Sequence, residues 1–417
     1  MLREVIVLAW DALRRNRTRS VLTMLGIVWG IVAVAVLMAY GSGFRGTLLR
    51  AFYAFGKSAV VAWPGQTSEQ AGGERAGRKI RFEREDFDVV RAEATLVKDI
   101  SLETVQWRQV NYGDRVINTA VRGVYPEYGV IRNEVAAEGR WISREDFEER
   151  RRVAFLGAKA RQKLFAGRPA VDETVLISGM RFTVIGTMDR KLQMSNYFTS
   201  DDECVFIPYS SAGDLWDNRY SSVFVFSSVS PSLEPQAMQQ VRQAIAKRQR
   251  FNPTDKRAIS MFGREEFRPI IDGITIGLQV LLVFVGTLTL GIGGVGVMNI
   301  MLVSVDERIR EIGLRRALGA RRSHIRMQFL AEALVLTLLG GVLGLVIAPL
   351  LVAFIGSLPF LGALFQDDTG KGDIRLVISP MIVMVSTLIL VAVGVIAGLV
   401  PALRASRLDP VVALRYE

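Results

Sequence analysis

The chain is long, apolar and basic. It has 417 residues, of which 50% are hydrophobic, and 52 lysines and arginines against 41 acidic residues give a net charge of +11. This composition excludes a disordered chain and indicates a membrane protein, while the charge excess fits either nucleic acid or a membrane surface. The chain has one histidine, His324, and one cysteine, Cys204. They exclude a histidine-rich zinc site and a disulfide framework, and we expect Cys204 to be a buried thiol.

Four apolar runs are each long enough for a helix that crosses a bilayer, which takes roughly 20 residues. They lie at 21–40, 274–303, 329–355 and 380–403. Arginines precede the first run, as in a secretory signal, but the run is too long for a signal core and no small-residue cleavage site closes it. We therefore predict a retained helix. Glu332, near the start of the third run, is expected at the interface or beside a basic residue.

Basic residues orient these runs, because lysine and arginine near span ends stay on the cytoplasmic side. Arginines precede the first run, fill the segment between the second and third, and follow the fourth. The segment 356–379 instead has three aspartates against one lysine and one arginine. We predict that both termini are cytoplasmic and that 43–272 lies outside. Topology then explains the charge excess, and we expect no nucleic-acid partner.

The predicted fold is an α-helical integral membrane protein with four transmembrane helices and an α+β extracytoplasmic domain inserted between helices 1 and 2. Its predicted segments are a cytoplasmic amphipathic N-terminal helix with the first span (1–42), the extracytoplasmic domain (43–272), the second span (273–304), a cytoplasmic coupling helix and loop (305–327), the third span (328–356), a short outer loop (357–379), the fourth span (380–403) and a cytoplasmic tail (404–417).

Short β-branched and aromatic runs predict the strands of the inserted domain, and 3.6-residue spacing predicts its helices. The strands are predicted at 57–63, 116–124, 153–156, 174–185, 204–208 and 223–227, and the helices at 84–94 and 235–250. The polar, glycine-rich segment 66–77 is predicted to be a mobile loop. About 230 residues are enough for a domain with its own core.

The sequence offers no nucleotide site. Gly56-Lys57-Ser58 is the nearest fragment of a phosphate-binding G-x-x-x-x-G-K-[ST] loop, but position 51 is alanine and no strand precedes it. If ATP drives this protein, we expect ATP and Mg²⁺ to be bound by a partner, with no cofactor, metal or catalytic residue on this chain. Acidic clusters such as 201–203 are expected to be solvated surfaces.

Three pairs of glycines stand four residues apart within the runs, a spacing that lets two helix backbones approach closely. These helix-packing candidates are Gly26, Gly30, Gly340, Gly344, Gly394 and Gly398. Alternatively they reflect only the glycine content common in membrane helices, and the spacing does not decide. Five glycines between 286 and 296 indicate close packing or bending of the second run.

The segment between the second and third runs predicts a short amphipathic helix that ends at a glycine, position 319. Val305, Ile309 and Ile312 share one face. This helix either rests its arginines on anionic lipid head groups or docks a partner, and its composition leaves both open. Acid-to-base pairs at i, i+4 spacing support it: Asp306 with Arg310, and Glu311 with Arg315.

Three segments stand out: RTRSVLTMLGI at 17–27, ERIREIGLRRALGA at 307–320 and PALRASRLDPVVALRY at 401–416. They resemble the permeases of the MacB type, the FtsX-like, type VII ABC transporter superfamily. Within the inserted domain, GVYPEY at 123–128, EGRW at 138–141, VAFLG at 153–157 and FTVIG at 182–186 are similar to that family's extracytoplasmic core domain. The likeness covers almost the whole chain.

The resemblance implies a subunit that works as a dimer, with a second copy or a homologue, and with two copies of an ABC ATPase. The ATPase fused to MacB-like chains is missing from this sequence, so a separate subunit is expected. A periplasmic adaptor and an outer-membrane duct are further partners that the family suggests. The implied location is the bacterial cytoplasmic (inner) membrane.

The resemblance also implies a mechanical relay, in which the amphipathic helix that matches the family motif would couple to the ATPase. The N-terminal helix and the tail 409–416 would brace this helix. The matching residues are Arg308, Glu311, Ile312, Leu314, Arg315, Ala317, Leu318 and Gly319.

Three functions are compatible with the sequence. The leading hypothesis is a non-catalytic permease subunit of an ATP-driven efflux or extraction system. The alternative is an FtsX-like relay that activates an outer-side partner, such as a cell-wall hydrolase, without transport. The large domain at 43–272 favours the first, because signalling members of the family have smaller outer domains. A membrane-anchored enzyme is the third and weakest hypothesis.

Overall fold

The computed structural model describes residues 17–56, 58–192, 197–362 and 369–414. The predicted N-terminal amphipathic helix and the last residues of the tail lie outside these ranges. The described residues divide between two compact units. The first unit takes residues up to Thr47, Gly273–Phe360 and residues from Asp373 onward, and the second takes Leu48–Asp272 and Leu361–Gly372.

The helices and strands are numbered in chain order over the described ranges. The helices are α1 (Arg17–Tyr53), α2 (Arg84–Glu93), α3 (Tyr128–Ile131), α4 (Arg144–Glu148), α5 (Ala158–Phe165), α6 (Tyr209–Ala212), α7 (Glu234–Gln249), α8 (Arg268–Glu307), α9 (Ile309–Ala317), α10 (Arg322–Ile355), α11 (Pro380–Arg407) and α12 (Pro410–Leu414). The strands are β1 (Ala59–Pro64), β2 (Val97–Tyr112), β3 (Arg115–Val124), β4 (Ala136–Gly139), β5 (Val153–Leu156), β6 (Thr174–Ile177), β7 (Met180–Met188), β8 (Val205–Pro208), β9 (Val223–Ser228), β10 (Ile259–Phe262), β11 (Ser357–Leu358) and β12 (Ile374–Arg375).

Four of these helices, α1, α8, α10 and α11, are long and apolar enough to cross a membrane. They coincide with the four apolar runs but extend beyond them. α1 continues to Tyr53 although its run ends near position 40, and α8 begins at Arg268. Hydropathy marks only the apolar part of a helix, whereas leucine, arginine and alanine after position 47 still favour helical backbone. The first residues assigned to the inserted domain are therefore helical.

Small residues bring the four long helices of the first unit into contact. A Cβ atom added to Gly30 would lie 2.8 Å from the Cα atom of Leu290 in α8, so no side chain fits there. Each of the six glycines singled out in the sequence lies against another long helix. The contacts are Gly26 with Gly293, Gly30 with Leu290, Gly340 with Ile27, Gly344 with Ile31, Gly394 with Thr337 and Gly398 with Ala333.

The second unit is built on a ten-stranded mixed sheet in the order β10-β1-β9-β2-β3-β8-β5-β7-β4. The short strand β6 pairs with both β2 and β7, so β2, β3, β8, β5, β7 and β6 close into a ring. The β3–β8 and β5–β7 pairs are parallel. One apolar core takes residues from all six ring strands and from α5, and another packs α2 and α7 on β1 and β9.

The structure alters one strand prediction and adds strands that were not predicted, namely β2, β4 and β10 in the inserted domain and β11 and β12 in the predicted outer loop. The segment 174–185, predicted as one strand, is the hairpin β6–β7, because Ser178 and Gly179 adopt φ values of 49° and 87° and form a two-residue turn. The 16-residue β2 was not predicted. Its first half pairs with β9 and its end with β6, so its sequence does not keep one simple alternation of apolar and polar residues.

We predict that Gly30→Ala destabilises the bundle of long helices. The new methyl group would meet the backbone of α8, which cannot move as a flexible side chain can, and overpacking of this kind costs about 1–3 kcal/mol. Thermal unfolding of the full chain in detergent, followed by helical circular dichroism, measures the loss.

Gly291→Ala is the matched control, because no atom lies within 4 Å of a Cβ atom built at Gly291. It should leave the unfolding temperature unchanged or raise it slightly, since alanine favours helix over glycine. Equal unfolding temperatures for the two variants would contradict the packing role of Gly30.

Candidate functional site in the helix between α8 and α10

The short helix α9 lies directly between two long helices, α8 and α10. One of its faces is buried in the first unit: Ile312 is 3% exposed and Ile309 is 9% exposed. Val305, in the last turn of α8, is also fully buried. These are the three positions that the sequence spacing placed on one face, so the apolar stripe of the segment faces the core of its own unit.

Arginines fix both ends of α9 to neighbouring helices. At the start, Nη1 of Arg308 lies 3.4 Å from Oε2 of Glu332, which is buried in α10. At the end, Nη1 of Arg316 donates hydrogen bonds to the carbonyl oxygens of Ser406 and Leu408, at 3.2 and 2.6 Å. These carbonyls close α11, where a positive charge is favourable. α9 is thereby attached to α10 and α11 as well as to α8.

Part of the tail also braces α9. A Cβ atom at Gly313 would lie 2.6 Å from the Cβ atom of Ala413, so α9 and α12 touch at almost backbone distance. This contact involves the described part of the tail segment 409–416. The N-terminal helix, the other predicted brace, lies outside the described ranges.

One of the two predicted ion pairs is wrong. Glu311 and Arg315 do form an i, i+4 pair at 2.6 Å. Asp306, however, pairs with Arg404 of α11 at 3.2 Å and not with Arg310. Asp306 belongs to the last turn of α8, and the backbone leaves the helical conformation at position 308, so the i, i+4 spacing is not kept across the break.

The outer face of α9 exposes two leucines at its C-terminal end, beside the exposed charged residues Arg310 and Glu311. Leu314 is 53% exposed and Leu318 is 81% exposed, and they stand one turn apart. Ala317 is exposed between them, and Gly319 ends the segment at φ 97°, a conformation that favours glycine. Exposed apolar side chains grouped in this way form a candidate interaction surface. The predicted coupling residues thus fall into three groups. Ile312 is buried and Arg308 braces the helix, whereas Glu311 and Arg315 form an ion pair. The remaining four, Leu314, Ala317, Leu318 and Gly319, form the exposed patch.

The second unit holds a buried ion network that the sequence did not reveal. Arg122 of β3 and Arg132 after α3 are both fully buried, and both contact Asp201, at 3.3 and 2.7 Å. Arg122 also pairs with Glu103 of β2 at 3.3 Å. Arg132 donates to the carbonyl oxygen of Phe55 at 3.0 Å and lies over its ring. The network therefore ties the residues that follow α1 to the strands of the ring.

Lys191 completes the network on its other side. Its Nζ atom lies 3.2 Å from Asp201 and 3.1 Å from Glu134. Burial raises the pKa of Glu134 to about 8. Burial would also raise the pKa of Asp201, but Arg132 and Lys191 outweigh it and hold this pKa below its ordinary value. The negative charge of the pair therefore stays on Asp201.

The acidic cluster 201–203 is not the solvated surface that we expected. Asp201 is fully buried and Asp202 is 4% exposed. Oδ1 of Asp202 accepts a hydrogen bond from the backbone N–H of Lys191 at 3.2 Å. The acids are buried because cations from distant parts of the chain pair with them. No local sequence pattern predicts such partners. Cys204 beside them is buried, as predicted.

Family models match both units of the structure. The MacB-like periplasmic core domain matches residues 20–247, more than half of the chain, and the FtsX-like permease C-terminal domain matches residues 283–410. The chain therefore belongs to the MacB-like, FtsX-type permeases, which are ABC transporter permeases. Together with the four apolar helices, this membership indicates an inner-membrane protein.

Two curated relatives are similar to nearly the whole chain. The macrolide export ATP-binding/permease protein MacB of Chlorobaculum tepidum is 32% identical over 418 residues, and that of Bdellovibrio bacteriovorus is 30% identical over 410. These alignments cover 99% and 98% of this chain, but it spans only 61% of the length of each relative. The crystal structure of the periplasmic region of MacB from Actinobacillus actinomycetemcomitans is 13% identical, with a TM-score of 0.41, and the match covers 54% of this chain and 97% of that one.

We predict that Arg132→Met strongly destabilises the second unit. The substitution leaves Asp201 buried without its closest cation and the Phe55 carbonyl without its donor, and breaking a buried pair in this way costs about 3–5 kcal/mol. Hydrogen exchange of β3 in the full chain measures the free energy of opening.

Arg144→Met is the matched control, since Arg144 pairs with Glu127 at 2.5 Å on the surface. Exposed pairs contribute less than about 1 kcal/mol. Slow exchange of β3 in both variants would show that the buried network is dispensable.

Proposed function

We propose that this chain is the permease subunit of an ATP-driven efflux or extraction system. In this proposal, ATP hydrolysis on a separate ATPase subunit moves α9, and the motion passes through the long helices to the α+β unit. The observation that carries the proposal is the construction of α9. It joins two long helices directly, arginines fix it at both ends, and its outer face exposes Leu314 and Leu318.

A rigid attachment suits a lever. One face of α9 is buried and Arg316 binds the end of α11. Because of these contacts, α9 cannot rotate independently, and a force on it is transmitted to the neighbouring helices. A helix that presents apolar residues one turn apart matches the way in which helices dock into apolar grooves. We therefore favour docking over the lipid-contact interpretation for Leu314 and Leu318.

The names of the relatives support the proposed partners. The curated relatives are named as ATP-binding/permease proteins, and this chain aligns with about three fifths of their length. We propose two copies of a separate ABC ATPase, which bind the ATP and Mg²⁺, and a second permease copy or homologue. Their name also includes macrolide export, so we place efflux ahead of the signalling relay. Transport by the reconstituted complex would separate these two functions.

We also propose that both termini and α9 are cytoplasmic and that the α+β unit is on the outer side. The residues Arg310, Arg321, Arg322 and Arg326 are all exposed around α9. Such a concentration of arginine marks the cytoplasmic end of a span.

We predict that Leu318→Glu uncouples the complex. The side chain is 81% exposed, so the variant should fold, but a carboxylate in an apolar groove without a partner costs at least about 2 kcal/mol. Stimulation of the co-purified ATPase by this chain should fall about tenfold or more, measured as phosphate release from the complex in lipid nanodiscs.

Arg310→Gln, on the same helix, tests the competing interpretation that α9 contacts lipid. If α9 acts by resting on anionic lipid, removal of this exposed arginine should impair the complex and Leu318→Glu should not. Failure of the chain to co-purify with any ATP-binding subunit would reject the proposal as a whole.

The proposed topology predicts opposite labelling of two engineered thiols. Ser232→Cys in the second unit should react with a membrane-impermeant maleimide on intact spheroplasts, whereas Ser323→Cys, at the start of α10, should react only after lysis. Background labelling of the native Cys204 should be low, because this residue is buried and burial raises the pKa of its thiol to about 12. External labelling of Ser323→Cys would invert the topology.

A further inference from the structure

A cleft of about 360 Å³ lies in the second unit, at the end of β1. Among the described residues that line it none is acidic, and three are cationic: Lys79, Arg81 and Arg257. The other lining residues are Pro64, Gly65, Gln66 and Ile80. Sites for small molecules usually have volumes of about 300–1,000 Å³. The size and charge of this cleft therefore suit a small anion.

Three backbone segments lie side by side at this cleft. The middle one continues from β1, and the N–H of Gly65 donates to the carbonyl oxygen of Ala258 at 2.9 Å. On its other side, the carbonyl oxygen of Gly65 accepts from the N–H of Ile80 at 2.9 Å. A Cβ atom at Gly65 would clash with the carbonyl oxygen of Arg257, so only glycine fits. Neighbouring strands are about 4.8 Å apart, which places the two outer, cation-bearing segments about 10 Å from each other.

Lys79 and Arg81 project from the same side of one outer segment. Bridges at positions 79 and 82 hold this segment against neighbouring backbone. Ile80 and Phe82 are 2% and 0% exposed, whereas Lys79 and Arg81 are exposed. This alternation is that of an extended chain, in which side chains two residues apart lie on one face at about 6.6 Å spacing. The guanidinium of Arg81 also lies over the ring of Tyr220, 4.8 Å from its centroid, which restricts its position.

The three cations are not neutralised within the described part of the chain, where none of them has an ion pair. The acids nearest in sequence to the two arginines are engaged elsewhere. Asp255 is 4% exposed and accepts hydrogen bonds from two backbone N–H groups, at 2.6 and 3.0 Å. Glu83 pairs with Arg248 at 2.5 Å. Like charges that share a cleft repel one another, and a bound anion relieves this repulsion.

We propose that this cleft binds a phosphate group. The guanidinium groups of Arg81 and Arg257 are planar donor forks that match phosphate oxygens, and Lys79 adds a third positive charge. A phosphate monoester carries nearly two negative charges at neutral pH, whereas a single carboxylate would leave two of the three cations unneutralised. The rule that concentrates arginine at cytoplasmic span ends does not explain this cluster, because it belongs to the second unit. Binding requires neither ATP nor the motion of α9, so the inference is independent of the proposed lever.

Calorimetry of the full chain in dodecyl maltoside, a detergent without phosphate, tests the proposal. Inorganic phosphate, phenyl phosphate and acetate are titrated at equal ionic strength and at about pH 8, where phosphate monoesters are dianions. Both phosphate compounds should bind about tenfold or more tightly than acetate, because charge-assisted hydrogen bonds to arginine forks are strong. Tighter binding of phenyl phosphate would identify a phosphate carried on a larger molecule, and equal affinity of the two would identify the free anion.

Three variants separate the cleft from general positive charge. Arg81→Gln and Arg257→Gln, both at exposed positions, should each weaken phosphate binding about tenfold, since each removes a charged donor. Lys256→Gln is the matched control, because Lys256 is exposed beside Arg257 but outside the cleft, and it should weaken binding less than about twofold. Equal affinity for phosphate and acetate, equal losses in Lys256→Gln and Arg257→Gln, or no binding of either phosphate compound would each overturn the proposal.

Discussion

Close approach of helix backbones is the constraint on which the first unit depends. In a membrane, lipid is as apolar as the helix surface, so helices associate through packing and not through burial from water. Gly26 and Gly30 bring α1 against α8, and Gly340 and Gly344 bring α10 against α1. A side chain at Gly30 or Gly344 would clash with the facing helix. At the corner formed by α8, α9 and α10, Nη1 of Arg308 lies 3.4 Å from Oε2 of Glu332.

Local sequence patterns were sufficient to predict the elements that are defined by their own residues, such as long apolar helices. Apolar length predicted the four long helices, and the spacing of Val305, Ile309 and Ile312 predicted which face of α9 is buried. The same spacing could not say that Asp306 pairs with Arg404, because that contact depends on how α11 returns to α8. Hydropathy also placed the end of α1 too early, since a helix can continue after its apolar part has ended.

The second unit shows more clearly where sequence reasoning stops. Strands such as β5 were predicted because they are short apolar runs, but the pairing of β6 with β2, which closes the ring, joins segments more than sixty residues apart. The burial of Asp201 has the same origin. Arg122, Arg132 and Lys191 come from three separate segments, and only the fold brings them to one carboxylate. An isolated acidic cluster is usually solvated. The burial of Asp201 depends on long-range contacts, which a single sequence does not reveal.

The length of α8 has a consequence for the surrounding lipid. Its apolar stretch, 274–303, corresponds to about 45 Å at the helical rise per residue, whereas the hydrocarbon layer is about 30 Å thick. Ile274 and Ile276, near the start of this stretch, are more than half exposed. Such hydrophobic mismatch is relieved by tilting, by a locally thicker bilayer or by cover from another apolar surface. The apolar stretch of α8 is therefore longer than the layer it would span, and we expect the tilt of this helix to depend on lipid chain length.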